Sequence, residues 1–258
     1  MAWSQEEQAH HKLKEYAEIF DARGRDYHEA MLRFPEARDD EFANIIKYAD
    51  LSDGQTVCDY PSGGGYLEDY LNHDVNLILL ENSQVFLQCA IEHSNAKRLL
   101  VENYKIPMAD GSADRFISLA GLHHVDDKTV VFAEIYRCLK HGGKFAVADV
   151  RVGSGAAGFL NEFVHENSEA GHEGIFLHEE TKKELESCGY TVSFAQPIAY
   201  SWQFASVDDM VEYCRLMFGI NRANPQKIED AIRHYLGLWE KDGEYYMGWE
   251  LMFIVAQK

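Results

Sequence analysis

Three consecutive glycines, Gly63, Gly64 and Gly65, follow a short apolar run at 56–60 and precede a stretch, 66–72, that reads as helical. A strand, a glycine turn and a helix form a nucleotide-binding arrangement. Glycine lets backbone N–H groups approach a ligand, and the helix N-terminus adds a favourable dipole. A tight strand-to-helix turn also takes glycine for purely structural reasons. Two absences narrow the ligand. Glu68 stands where the dinucleotide fingerprint has its third glycine, and no Lys-Ser or Lys-Thr follows the loop as it does in a Walker-type phosphate loop. What remains suits a nucleoside without a phosphate chain. Glu81 ends the next apolar run, about 18 residues after the glycines. A carboxylate there can accept hydrogen bonds from both ribose hydroxyls; the plainer alternative is a solvated residue at a strand end.

His124, His165 and Glu166 are the candidate proton acceptors. An imidazole takes a proton near neutral pH. His124 follows the fourth apolar run, and either contacts substrate as a base or packs in a pocket wall. His165 and Glu166 lie in an irregular stretch after the fifth run and read more simply as a solvated helix face. His165, His172 and His178 stand seven and six residues apart. That spacing does not place them on one helical turn, so no metal site is expected. The five cysteines, Cys58, Cys89, Cys138, Cys188 and Cys214, are dispersed and never form a Cys-x-x-Cys pair. Reduced thiols of a cytoplasmic protein are the expectation.

These groups need elements to hold them. Strands are expected over 56–60, 75–80, 98–101, 115–119, 144–150, 191–195 and 249–256. Helices are expected between them, with Ser83, Asp127, Ser206 and Asn224 as N-caps and Gly189 and Gly219 as stops. Strands alternating with helices give an α/β fold, a Rossmann-like parallel sheet covered on both faces. Ser4 and Glu7 form a capping-box pattern, and Leu13, Tyr16, Ala17 and Phe20 share one helical face. The helical N-terminal 50 residues and a helical insertion at 206–240 are expected to cap the sheet at the strand C-termini, where ligands bind. Trp239 is read as part of the insertion's last helical stripe. The whole chain, 1–258, is expected to be one domain: cap 1–50, ligand-binding core 51–150, and a substrate-side half 151–258.

Composition limits the partners. The formal net charge of -19 repels phosphate, which argues against nucleic acid and against an anionic membrane surface. No apolar run approaches the roughly 20 residues that span a bilayer. The polar, acidic N-terminus has neither the basic nor the apolar region of a signal peptide. Tyr200, Trp202 and Phe204 alternate as on a strand, and an aromatic wall there suits an apolar, aromatic or cationic small molecule. Nothing in the sequence sets an oligomeric state.

Five segments in order carry a resemblance: Val57-Cys-Asp-Tyr-Pro-Ser-Gly-Gly-Gly65, Leu79-Leu-Glu81, Ile106-Pro-Met-Ala-Asp-Gly-Ser-Ala-Asp114, Leu122-His-His-Val125, and Glu134-Ile-Tyr-Arg-Cys-Leu-Lys-His-Gly-Gly-Lys144. Over about 55–150 the chain resembles class I S-adenosylmethionine-dependent methyltransferases of the ubiquinone- and biotin-pathway type. The resemblance implies an antiparallel C-terminal hairpin, S-adenosylmethionine as cofactor and S-adenosylhomocysteine as product. It implies that Asp59, Gly63 and Gly65 line the methionine part and that Glu81 holds the ribose. Glu102, with the Asn103 backbone, would sit at the adenine, Asn82 would contact the cofactor, and Leu119 and Ala120 would flank it. Asp114 would be a structural residue at the sheet edge, and His124 a base or substrate contact. The implied reaction is methyl transfer to a small-molecule acceptor. Pro61 departs from the family, which has glycine there; proline removes an amide donor and redirects the loop. A non-catalytic protein that binds the same cofactor is the alternative, and a nucleotide-dependent oxidoreductase is disfavoured by Glu68.

Overall fold

The structure is a computed structural model that describes residues 16–258. The Ser4–Glu7 capping pattern and Leu13 lie outside the described residues. Eight strands form one sheet: β1 Thr56–Asp59, β2 Asn76–Glu81, β3 Lys97–Leu100, β4 Ala113–Leu119, β5 Leu139–Asp149, β6 Thr191–Phe204, β7 Leu238–Lys241 and β8 Glu244–Gln257. Their order is β3-β2-β1-β4-β5-β8-β6, with β7 also paired to β8. The first five strands are parallel. β8 runs antiparallel to both β5 and β6. β1 hydrogen-bonds to β2 on one side and β4 on the other, so the strand order reverses there. Ligands of open α/β sheets bind outside the strand C-termini at such a switch point.

Side chains alternate across the sheet. Along β5, Phe145 and Val147 pack into one buried cluster with Phe116, Phe132 and Ile254. Ala146 and Ala148 face the other cluster, with Ile45, Leu79, Ile117 and Phe253. Both faces are therefore covered, as a parallel sheet requires. Each fully buried Leu, Ile or Phe contributes about 1.5–3 kcal/mol relative to exposure.

The helices are α1 Tyr16–Arg33, α2 Asp39–Ala49, α3 Gln84–His93 and α4 Lys128–Cys138, then a helical run α5 over 155–167, α6 Thr181–Ser187, α7 Val207–Phe218 and α8 Pro225–Ala231. The expected caps form. Ser83, Asp127, Ser206 and Asn224 each accept a hydrogen bond from a first-turn N–H. α1 buries Tyr16, Phe20, Gly24 and His28, spaced by four, against the strand C-termini. Asp114 does sit at the sheet margin. It accepts from the Thr56 N–H and pairs with Lys140 at 2.8 Å.

Several elements differ from the sequence reading: among them, β5 and β8 begin earlier, at Leu139 and Glu244, and the stretch after β5 is helical over 155–167. The stretch after the glycines is a short 3-10 turn, Tyr66–Tyr70. β6 extends through Pro197 to Phe204 because it pairs with β8 alone among the strands, and an edge strand tolerates proline. Trp239 belongs to strand β7, not to a helix. The preceding helical run ends at Leu236, and Gly237 turns the chain out at φ 80°. A two-residue Asp242-Gly243 turn, both residues at positive φ, then closes the β7–β8 hairpin with Lys241 opposite Glu244. That is the turn chemistry a tight hairpin selects.

Candidate active site

The C-termini of β1, β2, β4 and β5 deliver Asp59, Glu81, Leu119 and Asp149 to one edge of the sheet. The loop after β1 begins with a cis Tyr60–Pro61 bond, and Gly63 and Gly65 both adopt positive φ, a conformation glycine takes without steric cost. The Pro61 ring fills the space beside Gly121, where any Cβ would collide with it. The loop is thus fitted to the chain after β4, and Pro61 is built into that fit.

Glu81 is completely buried. One carboxylate oxygen accepts from the N–H groups of Asn82 and Ser83, both at 2.8 Å. The other accepts from the Gly63 N–H at 2.7 Å and the Tyr16 hydroxyl at 3.2 Å. Burial pushes this carboxyl up to about 8, against the pull of those donors. Asp59 lies in the same wall with only 4% of its surface exposed. Burial, and then the Glu81 charge, raise it well above the usual carboxylate range. No described residue offers it a cation.

Two cavities meet at Tyr16. The first, about 50 Å³, is lined by Asp59, Pro61, Ser62, Gly63, Leu119 and Ala120, beneath Tyr16, Phe20 and Tyr27 of α1. The second, about 430 Å³, is lined by Asn82, Glu102, Asn103 and Tyr104, with Tyr16 again in its wall. Asn82 is held there by a 3.0 Å bond to the Val101 carbonyl. The Tyr16 ring stands between the two spaces, its hydroxyl on Glu81. Of the residues expected at a cofactor, Asp59, Gly63, Leu119 and Ala120 meet at the first cavity, and Asn82, Glu102 and Asn103 at the second. Gly65 lines neither; a Cβ there would press on Leu79, so its part is packing. Tyr16, Phe20 and Tyr27 cover the first cavity, as expected of a cap.

A third cavity adjoins the first and shares Phe20, Tyr27, Arg38 and Ala120 with it. His123, His124 and His172 line it on one side, and Trp202, Phe218 and Trp249 on the other. His124 lies there, half-buried, with its ring edge-on to Phe20 at 5.4 Å. Burial, then the neighbouring His123 and His172, hold its pKa well below the usual imidazole value. His123 donates from Nδ1 to Asp149 at 2.7 Å. Asp149, fully buried at the end of β5, also accepts from the Leu122, His123 and Val150 N–H groups. Burial raises the Asp149 carboxyl, but the His123 ring and these donors outweigh it and hold it below the ordinary value. His165 and Glu166 line none of the three cavities.

Beneath the aromatic wall, the buried Arg38 pairs with the buried Glu41, which also accepts from Trp202 Nε1 at 2.8 Å. Arg23 donates to the Met217 carbonyl at 2.8 Å, while its buried Nε has no partner among the described residues. The sequence reading missed His123, Asp149, Arg23 and the Arg38–Glu41 pair. The doublet His123-His124 was visible, but which ring turns to Asp149 depends on the turn Leu122–His124.

The two carboxylates fit a ligand that carries both cationic groups and hydroxyls. Asp59, buried and without a hydrogen-bond partner among the described residues, suits an ammonium or sulfonium. The buried, unpartnered Ser62 Oγ adds a free polar group beside it. Glu81 suits a ribose. S-adenosylmethionine has all of these, with an adenine for the second cavity.

Comparison with known proteins agrees. A family model described as "Methyltransferase domain" matches residues 59–147. Phosphoethanolamine N-methyltransferase 3 of Arabidopsis thaliana is 30% identical over 116 residues, 42% of this chain and 23% of that protein. O-methyltransferase rstn1 of Aspergillus nomiae is 30% identical over 111 residues, 40% of this chain and 49% of that protein. The chain thus spans half or less of the length of these relatives. An S-adenosylmethionine-dependent methyltransferase structure from Thermotoga maritima superposes with a TM-score of 0.60 at 18% identity, covering 94% of this chain and 99% of that one. The sheet order and these matches converge: residues 59–147 match a methyltransferase-domain model, and the chain shares its fold with the S-adenosylmethionine-dependent methyltransferase structure.

Proposed function

We propose that the chain transfers a methyl group from S-adenosylmethionine to a small organic molecule seated in the third cavity. The observation that carries this reading is the contiguity of the three spaces. The third cavity shares four residues with the first, so an acceptor there lies next to whatever Asp59 and Ala120 hold. When bound, the cofactor supplies an electrophilic methyl on a sulfonium, and in-line displacement leaves S-adenosylhomocysteine. The chain's own task is to align the acceptor and exclude water, which supplies most of the acceleration in such a reaction. Asp59 would hold the cationic end, Glu81 the ribose, and Asn82, Glu102 and Asn103 the adenine. Tyr16, Phe20 and Tyr27 would close over the site. A proton released by the acceptor would find imidazole nitrogens in the same cavity, His124 among them.

The third cavity is small and walled by aromatic rings, which favours a small molecule over a macromolecule. Its arginines and histidines mean that an acceptor bearing an anionic group is also accommodated. The names of the two relatives specify an N- and an O-methyltransferase, so the reading commits to a small acceptor and not to its atom. A net charge of -19 and five free cysteines suit a cytoplasmic protein that binds neither nucleic acid nor membranes. Among the described residues no helix is long and apolar enough to cross a membrane. We read the chain as one domain whose N-terminal helices and 206–240 segment cap the sheet edge.

The Tyr16–Glu81 hydrogen bond and the packed Pro61 favour one second reading, a protein that binds the cofactor without transferring its methyl group. The experiment is release of S-adenosylhomocysteine from S-adenosylmethionine in the presence of a fractionated metabolite pool. Release dependent on one fraction, and on intact Asp59, supports transfer. Tight cofactor binding with no release from any fraction supports the second reading.

A further inference from the structure

His123, His124 and His172 bring three imidazoles together from two distant parts of the chain, and their ligand nitrogens lie within 4.8 Å of one another. The hydrogen bonds behind them decide which lone pairs face inward. His123 Nδ1 lies 2.7 Å from Asp149 Oδ1, which also accepts from the Val150 N–H, so Nδ1 donates and Nε2 is the nitrogen left to hold an ion. His172 Nδ1 lies 2.8 Å from Asn161 Oδ1. The Asn161 amide cannot be flipped. Its Oδ1 accepts from the Gly174 N–H at 2.8 Å, and its Nδ2 donates to the Gly174 carbonyl at 2.9 Å. Oδ1 is therefore an acceptor, His172 Nδ1 must donate, and Nε2 of His172 is also a bare lone pair. His124 makes no hydrogen bond among the described residues and is free to present either nitrogen.

Two fixed and one free imidazole lone pair suit an electrophile. A carboxylate or amide oxygen behind each fixed ring is the outer shell that orients metal-bound histidine and sets its tautomer. From this geometry we propose that His123, His124 and His172 bind one divalent transition-metal ion of the zinc type. The fourth coordination position opens into the third cavity. Neutral imidazoles are what such an ion requires, and the absence of oxygen ligands disfavours calcium and magnesium. Tetrahedral coordination places the nitrogens about 3.4 Å apart, so an ion would draw together nitrogens that lie within 4.8 Å of one another here. Asp149, one ring behind the ion, provides a countercharge. Arg23 and Lys128 are the nearby cations, and each is tied to backbone carbonyls. The open position would take an oxygen, nitrogen or sulfur of a small ligand in the cavity. The histidine spacing read earlier, 165, 172 and 178, could not reveal this set, because His172 reaches partners 48 and 49 residues away.

The test does not depend on methyl transfer, because its readout is metal binding alone. The test is titration of the tag-free, chelator-stripped chain with cobalt(II), followed by visible d–d absorption, and with zinc(II) by calorimetry. The proposal expects one ion per chain at micromolar affinity or tighter and the intense visible absorption of four-coordinate cobalt. It expects loss of affinity of at least 100-fold in His172→Ala, and about 10–100-fold in Asn161→Leu, which touches only the ring behind the ion. His124→Gln, which removes no hydrogen bond among the described residues, must also lose the cobalt spectrum. Absence of stoichiometric uptake by the unaltered chain overturns the proposal. So does undiminished uptake by folded His124→Gln or His172→Ala, since the ion would then lie elsewhere.

Discussion

Glu81 accepts four hydrogen bonds from the protein itself, and one of them, from the Tyr16 hydroxyl, is a side-chain bond that a ligand hydroxyl could replace. Burial first, and the Glu81 charge second, keep the Tyr16 phenol protonated, so it donates. Tyr16 therefore competes with a ribose for the same lone pairs. Tyr16→Phe should tighten S-adenosylhomocysteine binding about 3–10-fold in a calorimetric titration, because a competing hydrogen bond to the buried Glu81 carboxyl is removed. Unchanged or weaker binding would mean that Tyr16 supports the ligand instead of displacing it. Glu81 was singled out in the sequence because it ends the strand after the glycine turn, whereas Asp59 came only from the family resemblance. The bond from Tyr16 was not legible there, since 65 residues separate the partners. The Asp149–His123 pair was hidden for the same reason, at a separation of 26.

Helix starts are local events, and Ser83, Asp127, Ser206 and Asn224 all cap where the sequence places them. Ser206 accepts from the Asp209 N–H at 3.0 Å and begins α7, which carries Met217 and Phe218 to the third cavity. Ser206→Ala should cost about 1 kcal/mol, read as a lower urea midpoint with an unchanged slope. No shift in midpoint would show that packing alone sets the start of α7. The β7–β8 hairpin was the opposite case. Asp242-Gly243 is a local turn signal, but Trp239 also fits the apolar stripe of the preceding helix. Gly237 and the pairing of Trp239 with Tyr246 decide for a strand. β6, read only over 191–195, continues through Pro197 to Phe204, and only the finished sheet shows that it lies at an edge, where proline is tolerated.

At the scale of the molecule, the N-terminal helices and the antiparallel strands are joined through buried charge. Arg38, just before α2, pairs with Glu41, and Glu41 accepts from Trp202 of β6. Arg38 also stands over the Trp202 ring at 5.4 Å. Arg38→Ala would leave the Glu41 carboxylate buried and unpaired, a loss of about 3–5 kcal/mol, checked by chemical denaturation. A loss below 1 kcal/mol would show that the cap and the sheet edge are held by apolar packing alone. The same joint lines the first and third cavities, and the account stands or falls on whether the first and second hold one cofactor. The most direct measurement is calorimetric titration of the chain with S-adenosylhomocysteine beside a Glu81→Ala variant. The account predicts micromolar binding of one molecule per chain that weakens at least tenfold in the variant. Absence of binding to the unaltered chain, or equal binding to both, would contradict it.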